Sequence, residues 1–411
     1  MADNVSLNQG DFQIWAAPHR VLFPASYLCA VYAIACWPLA AFFDFTLPSR
    51  LDPGLWHVHE MLFGFGGAAL GGYLLTALPS WTGGGPLIYG APLKILMSLW
   101  GLGRLSAIFA DHLWPWLMIG TSIGFFLFLA VLLLQPLLAA RAYAKLGFAA
   151  FPLVLGFLQL WLLRSILSGD PWLAMEYGHL ALLCFLGLII LIGGRAVPAF
   201  TRNALALDGD DAPVRNDIAP RATAIFIWAL LTLVTFLQWQ EPQAALQLLL
   251  GLALLWSMRH WQTCRALRSM LLIGLHFAYL WLPTGLLLLG GTGLAAQFSD
   301  LEMPPLRDLL HGLSIGAMSL MIMAISGRAA ARHPDGRMQA TGGFCIGFAM
   351  VWLSAALRLL AGFVPDHGEG LIYLSAGAWC LGWLIFLWGF LPALRGPVQR
   401  PILSGKRYES P

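Results

Sequence analysis

The sequence predicts an all-α fold, a polytopic transmembrane helical bundle of about twelve spans with both termini cytoplasmic. Three observations carry this expectation. Of the 411 residues, 59% are hydrophobic and 10% charged, whereas a soluble domain needs about 25% charged residues to cover its surface. Apolar runs of about 18–24 residues recur along the whole chain, each long enough to cross a hydrocarbon core of ~30 Å. Basic residues crowd alternate connections between those runs.

Taken in order, the runs place spans near 21–43, 55–78, 88–110, 113–137, 148–167, 172–194, 222–239, 242–258, 268–291, 304–326, 341–363 and 370–392. The bundle is expected over 21–395, between a cytoplasmic N-terminal segment at 1–20 and a cytoplasmic tail at 396–411. The first segment is polar and no small-residue cleavage site follows it, so no cleaved leader is expected. The longest polar interruption is Gly193–Pro220, GGRAVPAFTRNALALDGDDAPVRNDIAP. Pro198 and the GDDAP turn make it a cytoplasmic connector, with a loop over 195–221 joining two six-span halves. Many secondary transporters share a six-plus-six layout, although no sequence repeat relates these halves.

The connections after even-numbered spans, together with both ends, hold Arg20, Lys94, Arg141, Lys145, Arg195, Arg202, Arg215, Arg221, Arg259, Arg265, Arg268, Arg328, Arg332, Arg337, Arg395, Arg400, Lys406 and Arg407. The opposite connections hold essentially Arg50. The excess sets the orientation, because basic loops stay in the cytoplasm. These loops account for the net charge of +3. No basic stripe of the kind that binds nucleic acid is present, so the lipid bilayer is the expected surround. The six cysteines show no metal-ligand or disulfide spacing and read as small core residues.

Once the spans are drawn, the histidines sort by depth. His19, His260 and His333 fall among cytoplasmic arginines, and His112 and His367 in outer loops; all five read as solvated interfacial groups. The other five lie within spans. His57 and His59 open the second span from the outer side, in WHVHEMLFGFG. His179 sits about 10 Å into the sixth span and His311 about 10–12 Å into the tenth, at 1.5 Å rise per residue. His276 enters from the cytoplasmic side, with Tyr279 on its face. Polar groups at such depth face the bundle interior and pair with something.

Arg104, Arg164, Arg307 and Arg358 lie a turn or two inside the outer ends of their spans, with Glu60, Glu176 and Asp308 at similar depth. Ion pairs alone would satisfy them. As a group they also form a receptive surround for carboxylates such as haem propionates. On a regular helix His57 and Glu60 share a face, while His59 points about 200° away from His57. Below them Gly64, Gly67, Ala68, Gly71 and Gly72 strip one region of the helix of side chains. That region serves either close helix packing or a flat cofactor lying beneath a histidine ligand. His311 is followed on its face by Ser314 and Met318, and a methionine stripe is more often core than copper ligand. Several histidines on separate helices in an apolar surround suit haem iron or copper, so His57, His59, His276, His311 and His179 are the candidate ligands.

Four blocks, WHVHEMLFGFGGAALGGYLLTALPSWTG, GGRAVPAFTRNAL, LHFAYLWLPTGLLLLG and HGLSIGAMSLMIMAISGR, together resemble the NnrS family of bacterial membrane proteins. They lie in that family's order and span residues 56–328. The resemblance implies a twelve-span bacterial inner-membrane protein that contains haem and copper and is linked to nitric oxide metabolism and nitrosative stress. It carries onto His57, His59, Glu60, Arg195, Pro198, His276, His311 and Arg328. Ala196 stands where the family often has a larger apolar residue, which puts little in doubt. His179 and the four arginines rest on depth and not on a family motif.

The expected function is therefore an integral inner-membrane haem/copper protein that binds or turns over nitric oxide at a buried histidine-ligated metal. Any electron donor is unidentified, and the resemblance supplies cofactors and context without a reaction. The alternative is a multi-span transporter of a metal or small metabolite; against it, the spans lack paired carboxylates for ion coupling. A gas sensor signalling through the 195–221 loop is a third reading, and that loop contains no recognisable output module.

Overall fold

The computed structural model describes residues 12–43, 51–298, 303–331 and 338–404. Arg50, Arg332, His333, Arg337, Lys406 and Arg407 lie outside the described residues. Apolar runs in a chain with few charges become helices, since helices satisfy every backbone group internally. The chain is 81% helical, with no strand among the described residues, which makes it an all-α polytopic bundle.

In chain order the helices are α1 (Pro18–Phe43), α2 (Pro53–Trp81), α3 (Ala91–Ile108), α4 (Pro115–Ala139), α5 (Gly147–Leu167), α6 (Pro171–Leu207), α7 (Ile218–Phe236), α8 (Gln243–Met258), a short α9 (Thr263–Ala266), α10 (Met270–Phe298), α11 (Leu306–Ala330), α12 (Gly342–Ala361) and α13 (Gly368–Phe390). Ten helical segments among the described residues are long and apolar enough to cross a membrane. Helices α3 and α8 occupy the third and eighth expected spans and fall outside those ten, α8 because it has only 16 residues.

Local chemistry starts several helices. Asp52 caps α2 by accepting from the backbone N–H groups of Gly54 and Leu55, and Pro53 fills the first helical position, where its missing N–H costs nothing. Thr341 caps α12 in the same way through the Phe344 N–H. Three helices contain π-helical stretches in which each turn holds an extra residue: Glu60–Gly66 in α2, Ile189–Gly193 in α6 and Gly312–Ser319 in α11. Such stretches are rare and concentrate at functional sites.

The connector expected over 195–221 begins instead as helix. Residues 194–207 continue α6, burying Gly194, Val197, Pro198, Thr201 and Leu205 on one face at helical spacing. A polar sequence therefore read as loop because only one stripe of it is apolar.

The described chain divides into two compact units. The first takes residues through Gly178, with Arg328–Ala330 and Trp383–Gly405; the second takes His179–Gly327 and Ala331–Gly382. Small residues set the packing inside each. In the first unit a Cβ on Gly72 would stand 2.7 Å from the Phe23 ring, one on Gly67 3.1 Å from Phe126, and one on Gly71 3.4 Å from Leu22. The bare region of α2 thus takes side chains of α1 and α4 in close packing. In the second unit Gly285 admits Leu313 and Gly274 admits Phe344 in the same way.

One histidine is not solvated as expected. His19 is buried, and so is Arg20, whose guanidinium donates to the carbonyls of Gly396 at 2.8 Å and Arg395 at 3.1 Å. A buried guanidinium needs acceptors, and the carbonyls of the segment after α13 supply them.

Candidate functional sites in the two units

In the first unit the site grows from the first turns of α2. His57 and His59 lie on opposite sides, as the spacing requires. His57 is half-buried with its ring edge-on to Trp37, while His59 has no exposed surface. Glu60 pairs with its neighbour His59, Nδ1 to Oε1 at 3.0 Å. The π-helical stretch begins at Glu60.

Gln159 of α5 approaches the other ring nitrogen, with its amide nitrogen 2.9 Å from His59 Nε2. If the amide nitrogen donates to Nε2, the ring proton sits on Nδ1 and goes to the Glu60 carboxylate. Arg104 of α3 completes the cluster, its guanidinium 3.5 Å from the same Glu60 oxygen. It reaches there across Gly64, where a side chain would collide with Arg104 and with Cys29 Sγ at 2.8 Å. Glu60 Oε2, Gln159 Oε1 and the Arg104 Nε and Nη1 atoms are buried without hydrogen-bond partners. A buried ionic cluster with unused valences is expensive, which marks this position as one kept for a purpose.

The second unit treats its buried histidine differently. His276 of α10 is bonded through Nε2 to Thr201 Oγ1 at 2.8 Å and through Nδ1 to Thr263 Oγ1 at 3.1 Å. The Thr201 hydroxyl gives its proton to the Val197 carbonyl, at 2.8 Å, so it can only accept from His276. That places the imidazole proton on Nε2 and makes Thr263 the donor to Nδ1. Trp261 lies edge-on to both His276 and Tyr279, at ring separations of 6.3 and 4.8 Å. Thr201 belongs to the GGRAVPAFT block and His276 to the LHFAYLW block, so the fold brings two separated motifs into one hydrogen bond.

His311, half-buried, ends the first turns of α11, and its Nδ1 donates to the Arg307 carbonyl at 2.6 Å. This fixes the tautomer whose lone pair is on Nε2. His179, half-buried, lies in α6 on the second unit's side of the division. Among the four arginines, Arg104 and Arg358 are paired with carboxylates, Arg358 with Asp308 at 2.6 Å. Arg307 is 82% exposed and 3.9 Å from Asp308, and Arg164 is exposed beside the Trp161 ring. Among the described residues no three His, Cys, Asp or Glu side chains come together as a metal site.

Gln159, Thr201 and Thr263 are the partners that sequence reasoning missed. Gln159 had a signal, being the lone amide in the apolar run FPLVLGFLQLWLL; the threonines had none, because threonine is ordinary at helix ends and in loops.

The fold and these sites define a class: a multi-span helical membrane protein that buries one histidine among charges and another among hydroxyls. Residues 13–397 match the NnrS protein family, and the chain belongs to that family. No curated protein matches the chain.

Proposed function

We propose that this protein is a haem- and copper-containing protein of the bacterial inner membrane that binds or turns over nitric oxide. The NnrS membership and the multi-span fold support this role in the response to nitric oxide. One observation carries the ligand assignment. His59 and His311 each stand immediately before a π-helical stretch, with Nδ1 on an acceptor, Glu60 Oε1 for one and the Arg307 carbonyl for the other.

That is the outer hydrogen-bond arrangement of a metal-ligating imidazole, in which the bond at Nδ1 fixes the tautomer and Nε2 is the nitrogen that would face a metal. In the first unit Glu60, itself beside Arg104, accepts from His59 Nδ1 and orients the ring; Gln159 must turn away for Nε2 to bind. In the second unit Arg307 lies one turn before His311 on the same helix face, placed to receive a carboxylate of a group held there. Arg164 is similarly open, while Arg104 and Arg358 already have carboxylate partners. His57 and His179 are half-buried candidates for further ligands. His276 differs in its partners, threonine hydroxyls on both nitrogens with no carboxylate or backbone carbonyl at Nδ1. A bound haem iron or copper would supply the redox-active centre that takes up nitric oxide. The gas is apolar and can reach either unit through lipid.

The test is metal analysis with visible spectra on purified His59→Ala, His311→Ala and His276→Ala proteins, each checked for membrane insertion. His59→Ala and His311→Ala should each lose haem or copper, and His276→Ala should keep both. If all three retain haem and copper at the parent level, the metalloprotein reading fails and transport becomes the better account.

A further inference from the structure

The second unit contains a fastened loop. The residues between α8 and α10 carry Trp261, Gln262 and Thr263 over His276. Trp261 has no exposed surface, covers the imidazole edge and leaves its indole N–H buried without a partner. Thr263 holds Nδ1. Between them Gln262 has φ of 57°, in the left-handed region that non-glycine residues rarely adopt. This reversal turns both neighbours inward. Backbone strain and a buried unpaired donor persist only where the surroundings enforce them, and they gather at moving parts.

The enforcing contacts come from the segment between α6 and α7. The Gln262 amide donates to the Pro213 carbonyl at 3.1 Å, and the Arg215 N–H to the His260 carbonyl at 3.2 Å. Asp210 accepts from Arg265 at 2.7 and 2.8 Å and from Arg268 at 3.2 Å. Asp217 pairs with Arg259 and with His260 Nδ1, the latter at 3.1 Å. Two carboxylates on one segment thus clasp three arginines and a histidine on the other, directly above the strained turn. The same segment is anchored behind by the Asn216 amide on the Gly194 carbonyl at 2.9 Å.

We propose that Trp261–Thr263 is a lid over His276, that Gln262 is its strained hinge, and that the Asp210 and Asp217 ion pairs are its latch. Releasing the latch lets Gln262 relax, withdraws Thr263 from Nδ1 and exposes the imidazole to the loop side. Because the latch is ionic and partly solvent-exposed, salt loosens it.

The experiment is the rate at which diethylpyrocarbonate modifies His276, read by peptide mass spectrometry on the full chain in detergent at constant pH. The exposed His367 in the same molecule serves as reference. In the parent protein at low salt, His276 should react at least about tenfold more slowly than His367, as a group reached only through local opening. Asp210→Asn/Asp217→Asn should bring the two rates within about threefold, and the parent in about 0.5 M sodium chloride should show part of that rise. A parent His276 as reactive as His367 would remove the lid. A rate unchanged by salt would remove the latch, and the salt arm decides this even if the double variant does not insert.

Discussion

The two units bury a histidine in opposite ways. Around His59 the first unit gathers a carboxylate, a guanidinium and an amide, and leaves four of their polar atoms without hydrogen bonds. Around His276 the second unit uses two threonine hydroxyls, which satisfy both ring nitrogens without any formal charge. The charged arrangement costs more to bury and holds its members through long-range forces. The neutral one is cheap but depends on the position of each hydroxyl. The neighbours of a buried imidazole thus decide whether charges or hydroxyls hold it.

The largest expected effect tests the charge difference. Arg104→Leu takes the guanidinium away from the buried Glu60–His59 pair, which should cost about 3–5 kcal/mol of stability in detergent unfolding. Glu60→Leu/Arg104→Leu together should restore most of it, since removing both charges also removes their desolvation cost. A double variant no more stable than the single one would show that the pair is not what holds this region.

A smaller loss is expected at the neutral site. Thr201→Val keeps the shape of the side chain but leaves the His276 Nε2–H without its acceptor, at a cost of about 1–3 kcal/mol. Thr201→Ser, which keeps the hydroxyl, should recover most of this. Should valine and serine be equal in thermal unfolding, the hydrogen bond to His276 contributes nothing net.

The smallest effect concerns the latch of the second unit. The hydrogen bonds from Arg265, and then from the Ala212 N–H, hold the Asp210 carboxyl below its usual range. A depressed carboxylate adds stability that is fully present above the unfolded value, about 3.9. That stability is lost as pH falls through the lower folded value. The difference in melting temperature between the parent and Asp210→Asn should therefore stay constant from about pH 7 to 5 and shrink below about pH 4. A difference that is the same at pH 3 and pH 7 would rule out the ion pair as its source.

Much of the bundle was legible in the sequence because lipid imposes one rule along the whole length: long apolar runs become helices. The opposition of His57 and His59 was also legible, since α2 begins as a regular helix with an Asp52 cap. The pairing of Glu60 with His59 was not. Adjacent side chains on a helix do not share a face, so helical periodicity gives no reason to pair them. The continuation of α6 to Leu207 was hidden for another reason, because its single buried stripe sits in an otherwise polar segment.

By itself, then, the amino-acid sequence determined the class of the molecule and most of its helices, which follow from local composition and the length of the apolar runs. Tertiary structure alone decided the partners. Gln159 is 100 residues from His59 and Thr201 is 75 from His276. Such contacts arise where small residues let helices close: Gly64 makes room for the Arg104 side chain that reaches Glu60. Hydrogen bonds and ion pairs are short-ranged and directional, so no spacing along the chain could announce which distant side chain would meet each imidazole.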